Sequence, residues 1–266
     1  MGLARAAPAV SSSRRRSCLQ PAVVLGETNA GMAVAETTAL PAARRFRCTG
    51  RFERALRSQG YEWVAGCDEA GRGALLGPLY AAAVILDSAR PIRGLDDSKK
   101  LSPAERQELA AAVRARARAL AVISVPAAEV DALNVYQASR RAMIEALRAL
   151  EPAPHFVLTD AMRLGGWGDP VEFSVPYRSL IHGDARSVSI AAASILAKTA
   201  RDAHLVELDR LYPQYQLARN KGYGTPEHLQ GLAQHGPCPE HRRTFAPVKG
   251  YCLPLFPSAQ NALVVA

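Results

Sequence analysis

The chain has 266 residues, of which 48% are hydrophobic, so it is long enough to bury a sizeable core in one domain of ordinary size plus an extension. No apolar run approaches the roughly 20 residues that a membrane-spanning helix requires, so the sequence predicts no membrane span. The net charge is +9, but the ten Arg and four Glu of residues 1–62 supply +6 of it, so the remainder is only mildly basic and its charge is weak evidence for nucleic-acid binding.

The amino-terminal segment, residues 1–45, is rich in Ala, Arg, Ser and Pro and has no sustained periodicity, which predicts a disordered basic leader. Three interpretations of it stay open. It could be an upstream extension with Met32 as the initiator, a transit peptide, since the first 26 residues contain no acid, or a basic arm that touches nucleic acid. We expect the folded domain to span residues 46–255, followed by a flexible tail over residues 256–266.

After a short helix predicted over residues 45–58, the stretch from Trp63 to Leu86 organises the chain. Its first apolar run predicts a strand that delivers Asp68 and Glu69. The glycine loop Gly71-Arg72-Gly73 follows, and a second apolar run predicts a strand that returns beside the first. Paired carboxylates next to glycines that expose backbone N–H groups indicate a metal ion beside a phosphate. The alternative is a hairpin with its acids in a solvated turn.

The rest of the chain mixes helices and strands. Ser102 is placed as an N-cap, with Pro103 at the first helical position and Glu105 completing a capping box. Helical segments are predicted over residues 103–118, 127–133, 135–150, 184–211 and 226–235, and strands over residues 119–125, 156–160 and 171–175. This order of elements predicts an α/β fold with a mixed sheet.

Two further acids stand where elements end, because Asp160 follows an apolar strand and Asp184 stands at the start of the long helix. Taken singly, Asp160 could be a turn residue and Asp184 a helix cap. Together with Asp68 and Glu69 they predict an all-carboxylate cluster, which suits Mg²⁺ or Mn²⁺ rather than zinc. Because neighbouring residues of a regular strand point to opposite faces, Asp68 and Glu69 can share a metal ion only if the strand bends or ends there.

Three polar stretches could contact a nucleic-acid backbone. Lys99 could place a cation on a phosphate path, or it could belong to an exposed loop. Tyr223 stands between glycines just before a helix N-terminus, as a sugar-stacking residue would, although it could also pack under its loop. The run His241-Arg242-Arg243 adds positive charge near the carboxyl end, or is merely solvated surface.

The cysteines form no CxxC pair, which fits free thiols in a reducing compartment and a cytoplasmic protein. Cys238 and His241 have the spacing of zinc ligands, but no second close pair completes a site, so we do not expect a structural zinc ion. The five cysteines are Cys18, Cys48, Cys67, Cys238 and Cys252.

The combined pattern resembles one family, ribonuclease HII, over residues 61–250. The DEAGRG stretch and the downstream ASILAK stretch are the most specific motifs, and the matching stretches follow the family's order along the chain. They are residues 66–73, 76–78, 81–86, 95–101, 192–198, 201–202, 221–223 and 241–245.

The resemblance implies a ribonuclease H-like fold, with a five-stranded mixed sheet flanked by helices. It implies an enzyme that hydrolyses the RNA strand of RNA–DNA hybrids and incises 5′ of single ribonucleotides in duplex DNA, leaving 3′-hydroxyl and 5′-phosphate ends. We also expect the protein to be a monomer. By motif position, Asp68, Glu69, Asp160 and Asp184 would bind Mn²⁺ or Mg²⁺. The loop of Gly71, Arg72 and Gly73 would read the ribose 2′-hydroxyl, and Tyr223 would stack on the sugar beside the RNA–DNA junction. Lys99 would contact the substrate.

Two positions depart from the family's pattern without replacing a ligand: Ala161 stands where members commonly have Gly, and His182 where they often have Lys. The related ribonuclease HIII carries a folded N-terminal domain, for which the leader here lacks the periodicity. Three competing interpretations are a hybrid-binding module without catalysis, another ribonuclease H-like nuclease that cuts all-DNA substrates, and a phosphatase with an aspartyl nucleophile. The presence of all four acids speaks against the first of these, and the third would need a different arrangement of acids.

Overall fold

The computed structural model describes residues 48–165 and 173–252. The leader predicted over residues 1–45 and the tail predicted over residues 256–266 lie outside the described residues, so both stay predictions, as does the domain assigned to residues 46–255. In the described part of the chain, no helix combines the length and the apolar character needed to cross a membrane.

The described chain contains five strands and eight α-helices, and most begin within a few residues of their predicted positions. The strands are β1 (Val64–Ala70), β2 (Leu79–Leu86), β3 (Ala117–Val125), β4 (Phe156–Asp160) and β5 (Tyr177–Leu180). The helices are α1 (Arg51–Arg57), α2 (Pro103–Arg116), α3 (Ala127–Leu133), α4 (Val135–Arg148), α5 (Val188–Leu211), α6 (Leu217–Asn220), α7 (Pro226–His235) and α8 (Val248–Cys252), with a 3₁₀ turn at Pro213–Tyr215.

The predicted α/β fold with a five-stranded mixed sheet is confirmed. The strand order is β3-β2-β1-β4-β5, with the acid-bearing strand β1 at the centre. The strand β2 runs antiparallel to both β1 and β3, whereas β4 is parallel to β1 and β5 is parallel to β4. The carboxyl ends of β1 and β4 therefore meet at one edge of the sheet, which is where α/β proteins place their ligand sites.

Helices cover both faces of the sheet. On one face, α4 packs Met143 and Leu147 into the same cluster as Cys67 of β1. On the other face, α5 presents a run of small residues, Ala191 to Ala193, to β2. The closest approach is at Gly66, where a Cβ atom would lie 2.1 Å from the backbone of Ser189, so only glycine allows β1 and α5 to touch. This contact fixes the position of α5 relative to the acids of β1.

The capping boundaries follow the sequence chemistry. Ser102 and Glu105 form the predicted reciprocal capping box at α2. Thr225 caps α7 as predicted, and Gly236 follows its last residue with a φ of +69°. The first helix, predicted over residues 45–58, begins later, because α1 starts at Arg51 after Gly50 and the described residues 48–50 are not helical.

Two predicted boundaries are wrong. The fifth strand was placed at residues 171–175, but the described residues 173–175 are not in a strand and β5 lies beyond Pro176. It is an edge strand whose Arg178 and Ser179 are exposed, so it carries no apolar run to reveal it. The long helix begins at Val188 rather than at Asp184, because the side chain of Ser187 accepts the N–H of Ile190 as the N-cap.

Candidate active site

The sheet brings the first three predicted acids together. The pairing of β1 with β4 ends at Cys67 and Thr159, so Asp68 and Asp160 emerge side by side where the sheet opens. The strand β1 stays paired with β2 through Ala70, one residue beyond Glu69, and Gly71 then turns the chain with a φ of +89°. The strand thus continues regularly through both acids and ends at Ala70, so the expected bend or end at the acids is not seen, although both acids line one cavity.

A cavity of about 420 Å³ lies at this open edge, and it collects most of the predicted site residues. It is lined by Asp68, Glu69 and Asp160, by the loop from Gly71 to Gly73, by Lys99 and by Tyr223, and also by Ala70, Ser98, Ser194 and Lys198. Asp184 is not among the lining residues. It is buried beside the cavity, where its Oδ2 atom lies 3.6 Å from Nζ of Lys99.

The acids repel one another and are removed from water. Burial raises the pKa of Asp68 well above its ordinary value, and the charges of Glu69 and Asp160 raise it further. Burial also raises the pKa of Glu69, against the opposing effect of Arg72. The pKa of Asp184 is raised by burial and then by the charge of Asp160. A bound divalent cation would remove the repulsion that these shifts record.

The structure neutralises part of this charge with its own cations. Arg72 donates to Glu69 at 3.2 Å, and Lys99 pairs with Asp184. The second oxygen of Glu69 is buried without a hydrogen-bond partner. Among the described residues, no three His, Cys, Asp or Glu side chains are arranged to hold a metal ion. The donor set nevertheless fits Mg²⁺ or Mn²⁺, because it is all carboxylate and one buried oxygen lacks a donor.

The glycine loop is held from behind by two buried arginines. Arg201 of α5 donates to the carbonyl oxygens of Pro78, Leu76 and Lys221 at 2.8–3.1 Å. A Cβ atom on Gly71 would lie 2.0 Å from Nε of Arg201, so the guanidinium occupies the space that any other side chain would need. Because these acceptors are neutral carbonyls, they do not neutralise the positive charge that the arginine places behind Gly71.

Arg242 holds the other part of the same loop. Its guanidinium donates twice to the carbonyl oxygen of Gly77, at 3.0 and 3.2 Å, and once to that of Arg72 at 3.0 Å. The interpretation of residues 241–243 as surface charge is therefore wrong for His241 and Arg242, which are 1% and 0% exposed, and only Arg243 lies on the surface.

Tyr223 lines the cavity and is 39% exposed. The guanidinium carbon of Arg201 lies 5.7 Å from the ring centroid, so the cation supports the ring. The ring is therefore not packed under its loop, which was the alternative left open by the sequence. A half-exposed aromatic ring backed by a cation is suited to stacking on a sugar or base.

Lys198 and the serine pair were not singled out from the sequence as site residues. Lys198 of α5 lines the cavity and pairs with Asp202 at 2.7 Å. Ser98 and Ser194 hydrogen bond to each other at 3.0 Å, and Ser194 also hydrogen bonds to Asp68. The i,i+4 spacing of Lys198 and Asp202 was the one available signal, and it is common on solvated helices.

This fold and cavity define an α/β protein with a carboxylate-rich site of the kind that serves phosphodiester chemistry with divalent ions. A family model described as Ribonuclease HII matches residues 65–248. Ribonuclease HII of Solibacter usitatus is 51% identical over 212 residues, covering 80% of this chain and 90% of the relative. Ribonuclease HII of Bordetella pertussis is 51% identical over 191 residues, covering 72% of this chain and 92% of the relative.

Solved structures agree with this match. Ribonuclease H2 from Pyrococcus horikoshii OT3 superposes with a TM-score of 0.60 at 26% identity, covering 71% of this chain and 96% of the other. Bst-RNase HIII in complex with Mn²⁺ has a TM-score of 0.53 at 18% identity, covering 71% and 69%, and shares the fold. The chain belongs to the ribonuclease HII family. It is therefore a hydrolase of the ribonuclease H type, and metal dependence is typical of that family.

Proposed function

We propose that the protein hydrolyses the RNA strand of RNA–DNA hybrids and incises 5′ of single ribonucleotides in duplex DNA, leaving 3′-hydroxyl and 5′-phosphate ends. One observation carries this proposal: the acids Asp68, Glu69 and Asp160, the Gly71–Gly73 loop and Tyr223 line one cavity. The acids that would act on the phosphate and the loop that would contact the ribose could therefore reach the same nucleotide.

The acids would hold two divalent ions. Asp68, Glu69 and Asp160 would provide the ligands inside the cavity, and Asp184 would join them once Lys99 releases its carboxylate. When bound, the ions would supply activation of the attacking water and charge stabilisation at the leaving 3′-oxygen. We favour Mn²⁺ or Mg²⁺, since the donor set is all oxygen.

The residues of this chain would orient the substrate. The backbone of Gly71, Arg72 and Gly73 would contact the ribose 2′-hydroxyl, because the loop borders the cavity, Arg242 binds the Arg72 carbonyl and the Arg201 guanidinium packs against Gly71. The ring of Tyr223 would stack on the neighbouring deoxyribose. Lys99, which is exposed and already near the acids, would contact a phosphate beside the scissile bond.

We further propose that the protein acts as a cytoplasmic monomer. Within the described residues, Cys48, Cys67, Cys238 and Cys252 are free thiols, as in proteins of a reducing compartment. Cys67 is fully buried, and burial raises its pKa well above the ordinary value, so its thiol is unreactive.

The test is cleavage-site mapping on a 5′-labelled duplex that contains one ribonucleotide, with Mn²⁺, Mg²⁺ or chelator. We expect one metal-dependent cut on the 5′ side of the ribonucleotide and a 3′-hydroxyl on the upstream fragment. Cleavage of the matched all-DNA duplex would instead support a different nuclease of this fold. Binding without cleavage under every metal condition would support a hybrid-binding module.

A further inference from the structure

Two buried histidines lie behind Tyr223, away from the acids. His228 belongs to α7 and His241 to the segment that follows it, and they are 0% and 1% exposed. Their Nε2 atoms lie 3.1 Å apart. Neither lines the cavity, so neither is needed there to contact substrate.

Their hydrogen bonds determine which nitrogens carry protons. The backbone N–H of Cys238 points at Nδ1 of His241 at 3.0 Å, and because an N–H can only donate, this Nδ1 must accept. The proton of His241 is therefore on Nε2, which donates to Nε2 of His228. The proton of His228 is then on Nδ1, which donates to the carbonyl oxygen of Tyr223 at 3.0 Å. Each N–H group along this chain faces an acceptor, and Sγ of Cys238 also lies 3.2 Å from Nδ1 of His241.

This arrangement requires two neutral imidazoles. A second proton on either ring would place two N–H groups against each other at the His–His contact, or one against the N–H of Cys238. Burial favours the neutral forms: it lowers the pKa of His228, and it lowers that of His241 to about 4 together with the neighbouring His228. The ring of Tyr215 packs against both imidazoles, with centroids 4.7 Å and 5.8 Å away, and keeps water out.

We propose that this two-histidine relay holds Tyr223 in its sugar-stacking place: His228 is the positioning residue, through its Nδ1–H, and His241 acts by fixing the tautomer of His228, which an amide in place of His228 does not need. The inference rests on the proposed function, since it assumes that the ring of Tyr223 stacks at the RNA–DNA junction. The relay ends on the backbone of Tyr223 itself, whose carbonyl oxygen also accepts the N–H of Thr225 at 2.8 Å. Because the backbone is held in this way, the ring is aimed at the cavity while Arg201 supports it from one side.

Two substitutions of His228 separate positioning from stability. In His228→Asn the side-chain NH₂ takes the place of Nδ1, so the hydrogen bond to the Tyr223 carbonyl is retained and the contact with His241 is lost. In His228→Gln the longer amide takes the place of Nε2, so the contact with His241 is retained and the bond to Tyr223 is lost. Asn leaves the larger void, so its variant should be at least as destabilised as the Gln variant.

The readout is kcat/KM on a duplex with one ribonucleotide divided by kcat/KM on a long RNA–DNA hybrid, measured with the melting temperature of each variant. Tyr223→Ala should lower this ratio by about tenfold, the scale of one lost stacking contact. His228→Gln should lower the ratio by roughly three- to tenfold, whereas His228→Asn should stay within about twofold of wild type. In a Tyr223→Ala background, His228→Gln should change the ratio by less than about twofold, because a coupled pair is not additive.

The outcomes distinguish the relay from the function on which it rests. If the ratio follows the melting temperature, so that Asn is worse than Gln, the histidines are structural and the relay is refuted. If Tyr223→Ala lowers the ratio but His228→Gln does not, only the relay fails. If Tyr223→Ala leaves the ratio unchanged, there is nothing to position, and the role of Tyr223 fails with the relay. If the wild type cuts neither substrate, the proposed function fails and the relay with it.

Discussion

The cavity has two sides that are built differently: an acid side formed by Asp68, Glu69 and Asp160, and a loop side formed by Gly71 to Gly73 and Tyr223. The register of the strands places the acid side, where it brings negatively charged carboxylates close together. A bound cation or a proton reduces the repulsion between them. The loop side is held by the buried side chains of Arg201, Arg242 and His228, which hydrogen bond to backbone carbonyls. These hydrogen bonds form without any ligand. The comparison indicates that the acid side carries unfavourable electrostatics in the absence of a cation, whereas the loop side is already held in one conformation.

The largest expected effect comes from neutralising one acid. Asp68→Asn should lower kcat by about 10³-fold or more, the scale seen when a preorganised electrostatic group is removed. Because Asp68 repels Glu69 and Asp160, the metal-free variant should also melt at a higher temperature than the wild type. Duplex binding in chelator should stay close to that of the wild type. The measurements are single-turnover cleavage, thermal unfolding and fluorescence anisotropy.

The change in melting temperature on adding a divalent metal ion provides the control for this substitution. Saturating Mn²⁺ should raise the melting temperature of the wild type, because a ligand that binds only the folded state stabilises it by about 2.7 kcal/mol at 100 times its Kd. Saturating Mn²⁺ should raise the melting temperature of the Asp68→Asn variant much less. Joint loss of folding and duplex binding in the variant would mean that Asp68 is structural.

On the loop side, the corresponding change is Arg201→Lys. A lysine keeps the charge but cannot reach the carbonyls of Leu76, Pro78 and Lys221 together, so we expect a loss of about 2–4 kcal/mol in the free energy of unfolding. Urea denaturation gives this value. The matched control is Arg210→Lys on the same helix, because Arg210 is exposed and pairs only with Glu207 among the described residues. Equal stability of the two variants would contradict the bracing role of Arg201.

The same contrast explains what the sequence could predict. The strands carrying Asp68 and Asp160 were correctly placed, because apolar runs ending in acids are a local signal and the glycines mark the turn. The edge strand β5 was misplaced, since Arg178 and Ser179 give it no apolar run. The start of α5 was misplaced because the cap belongs to Ser187, which also donates to Glu53 of α1, a partner 134 residues away.

No local sequence pattern revealed the side chains that hold the loop side. Arg201 lies on the buried face of α5, four residues after Ala197 and four before Leu205, and a single arginine in an apolar stripe does not reveal which carbonyls it binds. His228 and His241 are thirteen residues apart and meet only after α7 is in place. Long-range satisfaction of backbone carbonyls depends on tertiary packing, so only the coordinates could assign these roles.

Lowering the pH should change the free energy of unfolding in opposite directions through the two sides of the cavity. The folded pKa of His241 is about 4 and its ordinary value is 6.5, so the unfolded chain binds a proton first as the pH falls. This histidine should therefore lower the free energy of unfolding by about 2 kcal/mol between pH 7 and pH 5. The raised pKa values of Asp68 and Glu69 act in the opposite direction, because protonation removes charges that burial disfavours most and that Asp160 also repels.

The histidine contribution is isolated by the difference between the wild type and His241→Gln. The Gln amide can still donate to His228 but does not titrate, so the pH dependence of stability should be flatter in the variant by the stated amount. Urea denaturation at several pH values measures it. His235→Gln, at an exposed histidine of α7, is the control for the substitution itself. Parallel curves for wild type and His241→Gln would show that the relay does not constrain protonation.

The smallest expected effect is a gain on the acid side. Ala161 follows Asp160 with a φ of +49°, a left-handed conformation that costs an L-residue roughly 1–2 kcal/mol. Ala161→Gly removes this strain but adds freedom to the unfolded chain, so we expect a net stabilisation of about 0.5–1 kcal/mol. The control is Ala111→Gly, at an exposed position inside α2, which should destabilise the protein by about 1 kcal/mol. If both substitutions destabilise the protein equally, the strain at Ala161 is refuted. If Ala161→Gly stabilises the protein without changing kcat, then the backbone beyond Asp160 is strained for no catalytic gain, and the position of Asp160 is set by β4 and by the N–H of Gly183, which donates to its carboxylate at 2.7 Å.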